Sequence, residues 1–399
     1  MAVTGDQFLV KEINKTVVLE AIRRHAPISR ADVCKITGLN KGTVSNLVNE
    51  LLDSHFVYET GPGESSGGRK PVILMFNNWA GFAIGVNLKV DLISAVLTDL
   101  QGNIIERNET PLLTNSQSDI YQKLKQSIEG LMAKTSESPY GVVGIGIGFP
   151  GTIDDEGNVL IAPTLKWKNV PLQTMLERDF SIPIIIYNEA RVGAQGETEF
   201  GLGKNSANML YISIDNGIGT GIMIDKELYK GHLGFSGEAG HTTFDINGEP
   251  CECGNVGCWQ HYASVRPLLK QALLLEDMKE QLLRAGKSQP DMELLVQLAE
   301  EGHMGVRQLF STIGTNIGIG ISNLVRILNP ELVIIGGLMA VAERWLIDSI
   351  TETVKQRASL YYEHELEIRF SQLGSDATVL GAASLAISQL FKKTRVTVN

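Results

Sequence analysis

"YGVVGIGIGFPGTID", residues 140–154, is a run of Val and Ile broken only by glycine, ending in a turn that holds Pro150 and Gly151. An apolar run of this length, free of polar alternation, reads as a strand buried on both faces, the kind found in a parallel sheet with helices on each side. Its surroundings repeat the theme. Upstream, "GFAIGVNL" (81–88), "LISAVLTDL" (92–100) and "GNIIERNET" (102–110) read as three successive strands, and a helix follows over about 117–134. Downstream, the helical "LQTMLERDF" (172–180) leads to the strand "PIIIYNEA" (183–190), which runs straight into the helix "ARVGAQGETEF" (190–200). A further strand and glycine turn, "MLYISIDNGIGTGIMID" (209–225), precedes a cysteine-rich loop. Helices over about 265–328, the strand "LVIIGG" (332–337) and an apolar helix "ATVLGAASLAISQLF" (377–391) complete the chain. The fold class is α/β. Polar groups gather at strand ends, so two lobes around a cleft are expected, although no long-period repeat is visible.

The chain has 399 residues, 43% of them hydrophobic and 20% charged, which is ample for two or three cores. No apolar run reaches about 18 residues, and no signal-like start is seen, so the expectation is a cytoplasmic protein without a membrane partner. Charge is uneven. Residues 1–80 hold 9 Lys/Arg against 8 Asp/Glu, whereas the whole chain carries a net −10. The N-terminal part is therefore the place to look for a polyanionic partner.

There, Ile13, Val17, Val18 and Ile22 suggest the apolar stripe of a first helix. In "PISRADVCKITGLNKGTVSNLVNELLDSHFV" (27–57), Ser29 and Asp32 make a capping box, Ala31, Val33 and Ile36 supply a buried side, and Gly38 ends that helix. Asn40 caps the next one. Val44, Leu47, Val48 and Leu51 form its inner face, leaving Gly42, Asn46 and Asn49 outward with Thr43 and Ser45 on the flanks. This is a helix-turn-helix whose second helix can read base edges and phosphates. Two strand-like runs, "HFVYET" and "PVILMF", are joined by a Gly/Ser loop ending in Arg69 and Lys70, which makes the unit a winged helix-turn-helix over residues 1–78. Arg30, Lys41, Thr43, Ser45, Asn46, Asn49, Arg69 and Lys70 are the candidate DNA contacts, on operator DNA bound by a homodimer. A helical protein-interaction bundle with a flexible linker is the alternative.

Three of the four cysteines fall within eight positions, in "CECGNVGC" (251–258). Three thiolates are one ligand short of a closed tetrahedral site, and His241 lies ten residues before Cys251 with Gly and Pro between. His241, Cys251, Cys253 and Cys258 form a candidate Cys3His zinc site. With all four positions taken by protein, the ion shapes a loop and leaves no place for water.

The ordered motifs "GFPGTID", "YNEARVGAQGE", "DNGIGTGI", "GEAGH", "CECGNVGCW" and "VIIGG" resemble the ROK family, which comprises sugar kinases of the actin-like ATPase fold and transcriptional repressors built on it. The resemblance spans essentially the whole chain, and the N-terminal winged helix matches the repressor branch. It implies that residues 79–399 form a two-lobed sugar-binding domain whose C-terminal helix returns to the first lobe. It also implies a sugar site at Gly151, Thr164, Asn188, Glu189, Glu238, His241 and Gln260; Thr164 and Gln260 stand where the family commonly has Asn and Glu. Three departures speak against kinase activity and against bound ATP. Asn87, Leu88 and Lys89 replace the Asp and glycines of the first phosphate loop, Asp215 and Asn216 replace Gly-Thr in the second, and Glu189 replaces the catalytic Asp.

The implied function is a sugar-responsive repressor, with an active kinase carrying a DNA-binding head, or a zinc-responsive regulator, as the alternatives. Glu189 extends one methylene, roughly 1.5 Å, further than Asp toward the space of a hexose hydroxymethyl group, which favours a pentose and points to xylose as effector.

Overall fold

The computed structural model describes residues 7–62 and 72–392. The head opens with the helix Gln7–His25, followed by a two-residue strand at Ile28–Ser29, the helices Arg30–Thr37 and Lys41–Asp53, and the strands Val57–Pro62 and Val72–Phe76. Val72–Phe76 pairs antiparallel with both other strands and lies between them, which completes the winged helix-turn-helix. Its helix ends form where the side chains require. Ser29 Oγ accepts the Asp32 N–H at 3.2 Å, Gly38 closes the helix at φ +72°, and Asn40 Oδ1 accepts the Thr43 N–H at 2.9 Å. Each N-cap contributes about 1 kcal/mol.

Two stripes differ from the expectation. Val18 and Ile22 are buried together with Leu19 and Ala21, but Ile13 and Val17 are exposed. The first helix meets the core along one edge only, so the residues a turn earlier face outward beside Val10. Likewise Val33 is buried while Ala31 and Ile36 are exposed, because the eight-residue Arg30–Thr37 helix turns only its Val33–Cys34 edge inward.

The rest of the chain contains a repeat that the sequence conceals. One sheet consists of Ile104–Pro111, Leu92–Asp99, Phe82–Leu88, Val142–Phe149 and Ile184–Asn188; the other of Glu227–Leu228, Ile218–Ile224, Met209–Ile214, Leu332–Gly336 and Glu367–Phe370. With the strands of each sheet numbered along the chain, both run in the order 3-2-1-4-5. In both, the first three are antiparallel and the last two join in parallel. A small antiparallel sheet at Thr152–Ile153, Val159–Ala162 and Trp167–Val170, the helix Glu343–Arg357 and the strand Glu367–Phe370 were not foreseen from the sequence.

The last helix, Asp376–Lys392, packs against Phe82–Leu88, Val142–Phe149 and the helix Glu189–Phe200. Glycine makes this approach possible. A Cβ at Gly85 would stand 1.9 Å from the Val379 carbonyl oxygen, one at Gly146 1.9 Å from that of Ala382, and one at Gly196 2.0 Å from that of Ala377. The far end of the same helix enters the head: Ala383, Ala386, Ile387 and Phe391 share one apolar cluster with Val18, Ile22, Val48 and Phe76. Phe391 also meets Phe56 edge to face at 5.7 Å.

Gly146→Ala is therefore expected to lower stability by about 3 kcal/mol, since backbone must shift to admit one methyl group. Urea unfolding would read the change; an unaltered midpoint would show that this contact is looser than described.

Candidate functional site

The strand Ile184–Asn188 passes directly into the helix Glu189–Phe200, and this junction positions the centre of the site. Asn188 caps the helix: its Oδ1 accepts the Ala190 N–H at 2.9 Å while its Nδ2 donates to the Gly151 carbonyl oxygen at 3.1 Å. Gly151 stands at φ +156°, and a Cβ there would lie 2.6 Å from the Ile161 carbonyl oxygen, so the turn accepts only glycine. Thus Gly151 and Asn188 lie together, with most of the Asn188 amide committed to shaping the turn. Thr164 is exposed, at the turn of the small antiparallel sheet.

Glu189 is the most perturbed acid of the cleft. Burial pushes its carboxyl up to about 8, Asp215 and Glu238 add to the rise, and Lys89 opposes it. Asp215 is held from two sides, accepting the Leu338 N–H at 2.9 Å and the Ser213 hydroxyl at 3.2 Å. A carboxylate is thereby locked onto the Gly336–Leu338 turn, at the start of the 215–221 stretch that the family resemblance aligns with a phosphate loop.

The segment Lys230–Gly237 bridges from the second sheet to the first lobe. Lys230 Nζ donates to Tyr187 Oη and lies 4.6 Å over its ring, and Asp155 is 4.0 Å away. Arg191, 3% exposed, donates from Nε to the Ser236 carbonyl oxygen at 3.1 Å, and Nη2 donates to the same oxygen. No carboxylate among the described residues lies within ion-pair distance of it. Burial draws the guanidinium below its ordinary value, with Glu238 and Asp155 opposing. Glu238, half-buried, is raised by burial and drawn back by His241 and Arg191. Arg191, Lys230, Tyr187 and Asp155 were missed from the sequence. The one available signal was a lone cation among the small residues of "EARVGAQGE".

Three residues beyond Glu238, His241 begins the cysteine loop. Its Nδ1 is 3.5 Å from Cys251 Sγ, and Cys253 Sγ is 3.7 Å from Cys258 Sγ; all four donor atoms lie within 4.8 Å of one another. Separations of about 3.5–3.8 Å are those of neighbouring ligands in a tetrahedral sulfur and nitrogen shell, so the group can hold a metal ion. Because Nδ1 faces the thiols, Nε2 is the ring nitrogen left outside the group. Gln260 turns its Nε2 to Cys251 Sγ at 3.8 Å, and its Oε1 would meet a Cβ on Gly217 at 3.0 Å, which places it between the loop and the 215–217 turn.

On the head, Lys41, Asn46 and Asn49 are exposed and Thr43 and Ser45 half-buried, so the outer face of Lys41–Asp53 is the one the sequence indicated. Arg30 bonds Glu59 at 2.6 Å and Asn49 at 3.2 Å, tying that helix to a wing strand. Arg69 and Lys70 lie outside the described residues.

Residues 83–389 match the model of the ROK family. The chain belongs to the ROK family. Residues 14–65 match that of the MarR family. The chain is 38% identical over 383 residues to the xylose repressor of Bacillus spizizenii, covering 96% of this chain and 97% of that one. It is 40% identical over 391 residues to a putative xylose repressor of a Caldicellulosiruptor species, covering 97% and 98%. Among solved structures, it resembles a ROK family transcriptional regulator described as a homolog of the Escherichia coli MLC protein, with TM-score 0.81 and 27% identity over 97% of this chain and 98% of that one. A Streptomyces griseus ROK glucokinase, solved with glucose and AMPPNP, matches with TM-score 0.69 and 26% identity over 77% of this chain and all of the other.

Cys253→Ser is expected to abolish metal binding measured by elemental analysis and to lower Tm by about 5–10 °C, because the open shell frees the loop that follows Glu238. Wild-type protein purified without chelators yet free of metal would contradict the ligand set.

Proposed function

We propose that this protein is a sugar-responsive transcriptional repressor. Its winged head binds a palindromic operator in a homodimer, and xylose entering the interlobe cleft releases it. The observation that carries this reading is the last helix, 17 residues and about 25 Å long, which reaches from the cleft to the head. At one end the Thr378 hydroxyl donates to the Glu189 carbonyl oxygen at 3.4 Å; at the other, Ile387 and Phe391 sit in the core beneath the DNA-facing helix. A change in the cleft that moves this helix moves the head, and two heads in a dimer then lose their half-site spacing.

The sugar site is proposed to comprise Gly151, Thr164, Asn188, Glu189, Glu238, His241 and Gln260, offering alternating donors and acceptors to ring hydroxyls. Zinc is the ion proposed for the cysteine loop, on the grounds of its three thiolates and one imidazole; its role is to hold His241 in one orientation. The names of the relatives and the extra methylene of Glu189 both favour xylose. The cytoplasm is the proposed compartment; no helix among the described residues is long and apolar enough to cross a membrane. Phosphoryl transfer is disfavoured by the Asp215 carboxylate, whose charge repels a phosphate.

Operator gel shifts should be reversed by xylose and much less by glucose, and no sugar-dependent ATP consumption should accompany release. Equal potency of the two sugars would refute the pentose assignment, and steady ATP turnover would restore the kinase alternative. Asn46→Ala should weaken operator binding by about 1–3 kcal/mol and leave binding to random DNA nearly unchanged, whereas Arg69→Ala should weaken both and flatten the salt dependence. Equal losses on both DNAs for Asn46→Ala would argue against base readout.

A further inference from the structure

Among the described residues, two buried acceptors in the cleft find no donor. Glu189 Oε2 and Asn87 Oδ1 are both shut off from solvent, and neither has a hydrogen-bond partner there. Native interiors leave few such atoms. The two belong to one place. Asn87 pairs with Gly148 across the parallel ladder, so its side chain rises on the same face as the Cβ that Gly148 lacks. That Cβ would come within 3.4 Å of Glu189 Cα and 3.6 Å of Glu189 Cβ. On the other side of the same strand, Asn188 pairs with Phe149 and delivers Glu189 to the gap. An ionised carboxylate and an amide oxygen are both pure acceptors, so neither can satisfy the other. With the Asn87 amide in this orientation, one proton on Glu189 resolves both.

We propose that Glu189 is a carboxylic acid in the working protein, that Asn87 Oδ1 receives its hydrogen bond, and that this neutral pair is the form of the cleft that takes sugar. The surroundings hold the proton in place. From the end of Met209–Ile214 comes Asp215, from the segment before the cysteine loop Glu238, and from the turn after Phe82–Leu88 Lys89; the last helix presents only the Thr378 hydroxyl, bonded to the Glu189 carbonyl oxygen. Burial and the two carboxylates outweigh Lys89 and the residue's own N–H, and the proton is held up to about pH 8. A raised carboxyl favours the folded, protonated state at low pH, and that contribution is lost as pH rises through about 8. The pairing also gives Asn87 a role of its own. At the position where the family's kinases carry an acid, an amide leaves Glu189 the only proton-bearing partner, and the neutral form that predominates near neutral pH donates its proton to that amide.

The inference deepens the sugar-repressor reading and rests on it for its functional half, but the proton itself can be seen without sugar. Infrared difference spectra of wild type against Glu189→Gln, recorded without sugar from about pH 6 to about pH 9.5, should show a carboxylic-acid carbonyl band that disappears near pH 8. Asn87→Asp should move that midpoint to higher pH, since a second carboxylate then faces the first. Xylose affinity of the wild type should fall about tenfold per pH unit above the transition, while Glu189→Gln, whatever its absolute affinity, should give a flat profile. Absence of the band at pH 7, or a wild-type xylose profile as flat as that of the variant, would overturn the proposal. A clear band with no xylose binding at any pH would instead remove the sugar assignment and with it the claim that the neutral pair admits sugar.

Discussion

The structure depends on one backbone contact, the last helix pressed against three glycines. Gly85 and Gly146 on the first sheet and Gly196 on the helix behind the cleft bring carbonyl oxygens of Asp376–Lys392 to positions where a Cβ would stand. A further glycine, Gly381, does the same from the helix itself, toward the Val192 carbonyl oxygen at 1.9 Å. Contact this close leaves little room for sliding, because packed interiors tolerate displacement only in discrete steps. The helix therefore behaves as a rigid strut. Everything that distinguishes this chain from a sugar-binding domain alone hangs on it, since its outer end supplies part of the head's core.

Around the inner end, electrostatics set what the cleft can do. Glu189, Asp215 and Glu238 bring three acids to one region, compensated by Lys89 and by Arg191, which is buried and has no ion pair among the described residues. A buried cation that meets only a carbonyl oxygen is costly, and its retention here is matched by the segment it holds. Through Ser236 it fixes the approach to Glu238, and three residues later His241 enters the metal-ligand group. The candidate site residues Glu238 and His241 on the second lobe are thus anchored at one end by a guanidinium and at the other by the cysteine loop. A neutral hydroxyl ligand suits such a cleft better than an anion.

Much of this was legible in the sequence for local reasons. Caps, turns and short strands obey rules that span a few residues, so Ser29, Gly38 and Asn40 ended helices where they were expected to, and Val44, Leu47, Val48 and Leu51 went inside. The Cys3His group was equally readable, since all four ligands lie within eighteen positions. Errors arose where a helix could offer more than one edge to a core. Ile13, Val17, Ala31 and Ile36 are apolar and well spaced, yet which edge turns inward is set by the partner element, and here that partner includes a helix more than 350 residues away in the chain.

By itself, the sequence determined the α/β class, the winged head and the Cys3His group that can hold a metal ion, because each is encoded by residues close together along the chain. The tertiary structure alone decided three further matters. It showed that both lobes repeat one strand order, which side-chain identity does not record since a topology can persist while its residues diverge. It put Asn87 beside Gly148 and Glu189, a juxtaposition made by parallel pairing of strands some sixty residues apart. And it joined the C-terminal helix to the head, because only folding brings the ends of the chain together and lets glycines at distant positions reveal what they were making room for.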